Sequence, residues 1–149
     1  MTKEQRAETQ EFLAVLRAAK NRLEYVTPND WALILDKATC QSFAKGDKLI
    51  QLGTHNTKII FLAKGAASIH SARRWEIASV SAGEILGEMA FLEGSQPSAT
   101  VVADEPVEVY SISWATLHEL FDLYPHLGSR FYRSVAVSLS RRLRQQISE

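Results

Sequence analysis

The residues best placed to do chemistry lie between Gly87 and Thr100, in "GEMAFLEGSQPSAT". A glycine ahead of a short apolar helix lets backbone N–H groups converge on an anion, and the helix N-terminus adds a partial positive charge. Gly87, Met89 and Ala90 are the residues that supply those amides. Glu88 offers a carboxylate, which accepts a hydrogen bond from a sugar hydroxyl. Ser98 and Ala99 offer a hydroxyl and an amide of the kind that suits a phosphate. Taken alone, the same residues also fit a glutamate capping its own helix and a serine in an ordinary turn. The stretch contains no cation.

The elements that must position these residues divide by period. Residues 1–38 read as N-terminal helices. Phe12, Leu13, Val15 and Leu16 recur at helical spacing, and "TPNDWALILDKA" starts a second helix with Thr27 or Asn29 as cap and Pro28 in its first turn. Residues 39–112 read as short strands: "KGDKLIQLG", "KIIFLAKGAASIH", "WEIASVSAGEI", "SATVVAD" and "PVEVYSI", punctuated by Gly46, Gly53, Gly65, Gly83, Gly87 and Gly94. Short strands with frequent turn signals predict a sandwich, roll or barrel. "HSARRWE" reads as a hairpin tip. Residues 113–149 are helical again, with Ser113 as N-cap, an interruption at Pro125 and a bend at Gly128. Leu127, Phe131, Val135, Leu139, Leu143 and Ile147 follow at every fourth residue. A step of four advances about 400°, so the stripe drifts by about 40° per step. Its second half either turns toward a partner helix or belongs to a curved helix on its own core.

This order resembles the cyclic nucleotide-binding domain family. The resemblance is carried by "FAKGDKLIQLG", "IIFLAKGAASI" and above all "AGEILGEMAFLEGSQPSATVVA". It implies one α+β domain over residues 1–149: a jelly-roll-like β roll with N-terminal helices and a hinged C-terminal helix pair. By that resemblance Glu88 meets the ribose, Ser98 and Ala99 meet the cyclic phosphate, and Ile77 faces the base. The implied function is a non-enzymatic sensor of cAMP or cGMP that signals through its C-terminal helices. The alternative is a degenerate domain that serves as a dimerisation or interaction scaffold without nucleotide.

The family pattern places an arginine before its two small residues, and here that position is Pro97. Between Arg74 and Arg130 the sequence has no lysine or arginine. The same interval holds Glu76, Glu84, Glu88, Glu93, Asp104, Glu105, Glu108, Glu119 and Asp122. Arg73 or Arg74 at the hairpin tip, Arg130 or Arg133 on the last helix, or a partner chain are the possible replacements, unless none exists and amides and hydroxyls suffice.

Composition narrows the rest. The 149 residues carry a formal net charge of zero, with 46% hydrophobic and 23% charged residues, which argues against disorder and against charge-driven membrane or nucleic-acid binding. The single Cys40 permits no internal disulfide and fits a reducing, cytoplasmic setting. No run approaches the length of a membrane span. His55, His70, His118 and His126 show no metal-ligand spacing, so no metal and no cofactor beyond the nucleotide is expected. No nucleophile elbow is present. Trp31, Trp75 and Trp114 read as packing residues, though one of them could stack on a base. "SRRLRQQISE" gives a basic face that reads as solvated. The expected partners are a second copy or an effector protein on the last helix, with no direct nucleic-acid contact.

Overall fold

A computed structural model of the chain describes residues 2–73 and 76–148. Helix α1 (Lys3–Ala18) opens on Thr2, whose hydroxyl accepts the Gln5 N–H while the Gln5 side chain accepts the Thr2 N–H. Helix α2 (Pro28–Asp36) uses the same box. The Thr27 hydroxyl accepts the Asp30 N–H at 3.1 Å and Asp30 accepts the Thr27 N–H at 3.0 Å, with Pro28 at the first helical position. Thr27, not Asn29, is therefore the cap.

Eight strands follow: β1 (Thr39–Phe43), β2 (Lys48–Ile50), β3 (Lys58–Lys64), β4 (Ala66–His70), β5 (Glu76–Ser81), β6 (Ile85–Leu86), β7 (Thr100–Ala103) and β8 (Val107–Ser113). They form two antiparallel four-stranded sheets, ordered β1-β8-β3-β6 and β2-β7-β4-β5. With the flanking helices this is an α+β β-roll. Strand β1 is not among the strands expected from the sequence. "TCQSF" is polar and mostly exposed, and it pairs only with β8, so it carries no hydrophobic alternation.

The continuous apolar run of β3 follows from its position. Ile60 and Leu62 point between the sheets, where they pack with Ile50, Ala67, Val80, Leu86, Val101 and Val109. Ile59 and Phe61 point the other way, into a cluster with Phe12, Trp31, Phe91, Leu117 and Phe131 from the helices. A strand covered on both faces loses the polar half of its pattern. The β4–β5 register closes from Ala66↔Ser81 to His70↔Glu76, so the hairpin expected at "HSARRWE" forms; Arg74 and Trp75 lie outside the described residues.

Helix α3 (Glu88–Glu93) sits between β6 and β7. Helix α4 (Trp114–Leu123) starts on Ser113, whose hydroxyl accepts the Thr116 N–H at 3.1 Å. Helix α5 (Pro125–Ser148) is one uninterrupted helix. This corrects the expected bend at Gly128. The break lies at Tyr124, whose φ of −130° and ψ of 79° are non-helical, and Pro125 begins the new helix. Gly128 answers to packing instead: a Cβ there would sit 3.1 Å from Cβ and Cγ of Phe121, so its absence lets α4 and α5 approach closely.

The N-terminal connector straps α5. The Ser134 hydroxyl accepts the Tyr25 N–H at 2.8 Å, the Ser138 hydroxyl donates to the Asn21 carbonyl at 3.3 Å, and the Arg133 guanidinium lies 3.9 Å over the Tyr25 ring. Arg130 forms a two-pronged pair with the buried Asp30 at 2.7 and 2.8 Å. That guanidinium holds the Asp30 carboxyl below the ordinary 3.8 of an aspartate, against the opposing effect of burial and with help from Thr27.

Arg130→Ala leaves Asp30 buried without its charge partner, and the expected loss is about 2–3 kcal/mol. This is less than the ~3–5 kcal/mol of breaking a fully buried pair, because the arginine side of the pair reaches water. A folded-state pKa below the unfolded value stabilises above that range and stops stabilising as pH falls through the folded pKa. Urea unfolding at pH 7 should therefore show the deficit, and the deficit should shrink in acid below pH 3.8. A loss under about 0.5 kcal/mol at pH 7 would place this pair with ordinary surface pairs.

Candidate functional site

The site begins where β6 hands over to α3. Gly87 caps α3 with φ 84° and ψ 10°, in the left-handed region that glycine adopts without strain. Having no side chain, it places no oxygen over the first turn, and no side-chain hydrogen bond caps α3. The turn that follows α3 leads through Pro97, Ser98 and Ala99 into β7. The Pro97 carbonyl accepts the Gly53 N–H at 3.1 Å, which ties this turn to the one after β2.

These segments enclose a cavity of about 390 Å³. Its floor continues the intersheet core through Ile50, Leu86 and Val101. All eight residues expected to meet a ligand line it: Ile77, Gly87, Glu88, Met89, Ala90, Pro97, Ser98 and Ala99. Ile69, Ser71 and Ala78 extend the wall along the β4–β5 hairpin, and α5 completes it through Leu139, Arg142, Leu143 and Gln146. Ile77, Met89 and Leu143 are large apolar side chains that are each about half exposed. They are grouped around one opening, where a flat apolar group would cover them.

Within the cavity wall the only lysine or arginine among the described residues is Arg142, and the only carboxylate is Glu88. The two meet: Arg142 Nη1 donates to Glu88 Oε1 at 3.2 Å. Arg142 Nη2 lies 3.5 Å from Glu84 Oε1, a charge contact whose geometry makes no hydrogen bond, and this nitrogen has no hydrogen-bond partner although it is buried. Glu84 is already well served. It accepts from Asn21 Nδ2 at 2.7 Å and from the Ser81 N–H at 2.6 Å. Glu88 is 5% exposed. Burial pushes its carboxyl above the ordinary 4.5; Arg142 and the residue's own N–H oppose that, and neighbouring Glu84 adds to it.

The structure settles the position of most candidate cations. Arg130 is taken up by Asp30 and Arg133 by Tyr25, and neither lines the cavity, so the expectation that one of them reaches in is corrected. Both are committed to the N-terminal connector or the helix after it. Arg73 is exposed at the hairpin, where its N–H donates to the Ser71 hydroxyl, and it does not line the cavity. Arg74 lies outside the described residues. The arginine that does reach in is Arg142, from the stretch that reads in sequence as a solvated basic face. Its neighbour Arg141 fits that reading better, pairing with Glu24 at 3.0 Å on the outside.

The signal for Arg142 is present in the drifting stripe. Arg142 stands three residues after Leu139 and one before Leu143, about 60° and 100° around the helix from them. Of the two readings of that stripe, neither is complete. Leu127, Phe131 and Val135 are buried in the core, while Leu139 and Leu143 turn to the cavity.

Other candidates play no part in this cavity. Trp31 packs edge-on against Phe61 and Trp114 against Phe91, so neither is placed to stack on a ligand there; Trp75 lies outside the described residues. His118 stacks on Phe91. Among the described residues no group of three or more His, Cys, Asp or Glu side chains is placed to hold a metal.

Comparison with known proteins bears on this geometry. Residues 40–124 match the family described as "Cyclic nucleotide-binding domain". The chain is 29% identical over 128 residues to "Cyclic GMP-binding protein C" of Dictyostelium discoideum, a match covering 83% of this chain and 5% of that protein. It is 30% identical over 110 residues to "Potassium/sodium hyperpolarization-activated cyclic nucleotide-gated channel 2" of Mus musculus, covering 74% of this chain and 12% of the channel. The chain thus spans a small fraction of the length of these relatives. In fold it is similar to a cyclic nucleotide-binding domain from Methylobacillus flagellatus, with a TM-score of 0.78 at 22% identity over 92% of this chain and 79% of the other.

Proposed function

Because the chain belongs to the cyclic nucleotide-binding domain family, we propose that it is a non-enzymatic regulatory module that binds cAMP or cGMP in the cavity between α3, β5 and α5. The observation that carries this reading is the convergence of all eight expected ligand residues on one cavity of suitable size for a nucleotide. In this reading the uncapped first turn of α3 and the Ser98 hydroxyl receive the cyclic phosphate, and Glu88 receives the ribose hydroxyl. Ile77, Met89 and Leu143 cover the base.

Signalling would run through α5. Its first half is fixed by the core and by the Tyr25 bond to Ser134, and the Asn21 bond to Ser138 anchors the turn that follows. Its last three turns lie over the cavity, so a ligand contacts them directly. A nucleotide that favours one position of those turns shifts a two-state equilibrium by its difference in affinity for the two. The readout would be a second copy or an effector protein on this helix. Among the described residues no helix is long and apolar enough to cross a membrane.

A second reading is a nucleotide-free interaction scaffold. It is favoured by one observation: Glu88, the expected ribose acceptor, is already paired with Arg142, and Pro97 offers neither a cation nor an N–H. Calorimetric titration with cAMP and with cGMP separates the two. The sensor reading expects saturable one-to-one binding and a melting temperature that rises with ligand, by about 2.7 kcal/mol of added stability at a hundredfold excess over Kd. Flat titrations with no thermal shift at millimolar concentrations of either nucleotide would leave the scaffold reading standing.

A further inference from the structure

Resting on the nucleotide-binding reading above, we propose that Arg142 of α5 is the anion-binding residue of the cavity: an incoming phosphate takes the guanidinium now shared by Glu88 and Glu84. Three observations carry this. Arg142 is the one lysine or arginine in the cavity wall among the described residues. Its Nη2 is buried and makes no hydrogen bond, so a donor is available without breaking one. Its partners are unequal: Glu84 is held by Asn21 and Ser81 independently of Arg142, whereas Glu88 has Arg142 as its one side-chain partner. A planar guanidinium with several donors can turn between two oxyanions more easily than a lysine, which suits such a shared position.

The cation therefore arrives from a different element than in the pattern that the sequence resembles. The slot before Ser98 is empty of charge because the charge is delivered across the cavity by the last helix. Ligand contact and helix position are coupled as a result. With the cavity empty, the ion pair to Glu88 and Glu84 draws the end of α5 toward β6 and α3. With phosphate bound, the same guanidinium holds α5 to the ligand and Glu88 is released to its hydroxyl. Burial has already pushed the Glu88 carboxyl toward its neutral form, which eases the arrival of another negative group beside it.

The test is calorimetric titration of the full chain with cAMP, with cGMP and with the uncharged nucleosides adenosine and guanosine. It is run on the wild type, Arg142→Gln and the double variant Arg142→Gln/Glu88→Gln, with melting curves as a folding control. Losing one charge-assisted hydrogen bond costs roughly ten- to a hundred-fold in affinity, so Arg142→Gln should weaken the cyclic nucleotide by at least about that factor. Nucleoside affinity should change little. The double variant distinguishes anion binding from a merely structural role: it no longer strands Glu88, and with its nucleoside affinity as the reference for what Glu88→Gln does to ribose binding, its cyclic nucleotide affinity should stay as low relative to nucleoside as in the single variant. Recovery of wild-type affinity in the double variant, or unchanged affinity in the single one, overturns the assignment while leaving the nucleotide reading in place. Absence of any saturable nucleotide binding by the wild type overturns both.

Discussion

Gly83→Ala is expected to destabilise the chain by about 2–5 kcal/mol. Gly83 lies in the tight turn between β5 and β6 with φ +95°, a conformation that costs an L-residue about 1–2 kcal/mol. Space is the larger problem. A Cβ at this position would sit 2.6 Å from the Ala19 Cβ and 2.8 Å from the Val15 carbonyl oxygen. Neither is the end of a flexible side chain, so α1 must move away, and overpacking of this kind costs typically another 1–3 kcal/mol. The movement matters for function because the same turn carries Glu84, which Asn21 and Ser81 hold in place beside Arg142. Gly94→Ala is the control. Gly94 has φ 65°, and a Cβ added there would meet no atom within 4 Å, so only the conformational cost of about 1–2 kcal/mol should be observed. Urea unfolding of both variants checks the difference. Equal losses would show that α1 yields to Gly83→Ala without cost.

The fold is legible in the sequence where local chemistry fixes the backbone. Thr27 and Ser113 act as caps because their hydroxyls reach an N–H three residues on, and that spacing can be read directly. Six of the seven glycines have positive φ and stand in the turns that their spacing marks. Strand β1 is not legible, since an exposed edge strand such as "TCQSF" answers to its pairing with β8 and not to a pattern of its own. Gly128 misleads for a related reason: its value lies in the approach of Phe121, seven residues back and on another helix.

The site shows the same division. The expected ligand positions from Ile77 to Ala99 are named in the sequence by the resemblance of one contiguous stretch to the family pattern, and the structure gathers them around one cavity. Arg142 depends on the path of a 24-residue helix over some 36 Å. One residue decides its role, because a step of about 100° separates Arg141, which faces Glu24, from Arg142, which faces Glu88. No arginine in such a run is distinguishable by composition. The drift of the leucine stripe gives the direction only after its first half has been anchored at Phe131 and Val135.

Pro97→Arg is expected to raise affinity for a cyclic mononucleotide by about 3 kcal/mol, roughly 150-fold. Pro97 lines the cavity beside Ser98 and Ala99, so an arginine there enters the same space that a ligand phosphate would occupy. The change keeps the carbonyl that accepts the Gly53 N–H and restores an N–H that proline lacks. It also brings a second guanidinium near Glu88, and the resulting competition lowers the gain from the sum of two charge-assisted bonds, each about 1.5–3 kcal/mol. Combining it with Arg142→Gln tests whether both cations serve one phosphate. If they do, the loss caused by Arg142→Gln should be smaller in the Pro97→Arg background than in the wild type, because the new arginine already meets the anion. Independent, additive effects would place the two guanidinium groups on different parts of the ligand. An affinity unchanged or lowered by Pro97→Arg, in a variant that melts like the wild type, would show that the turn before β7 does not present its side chains to the phosphate at all.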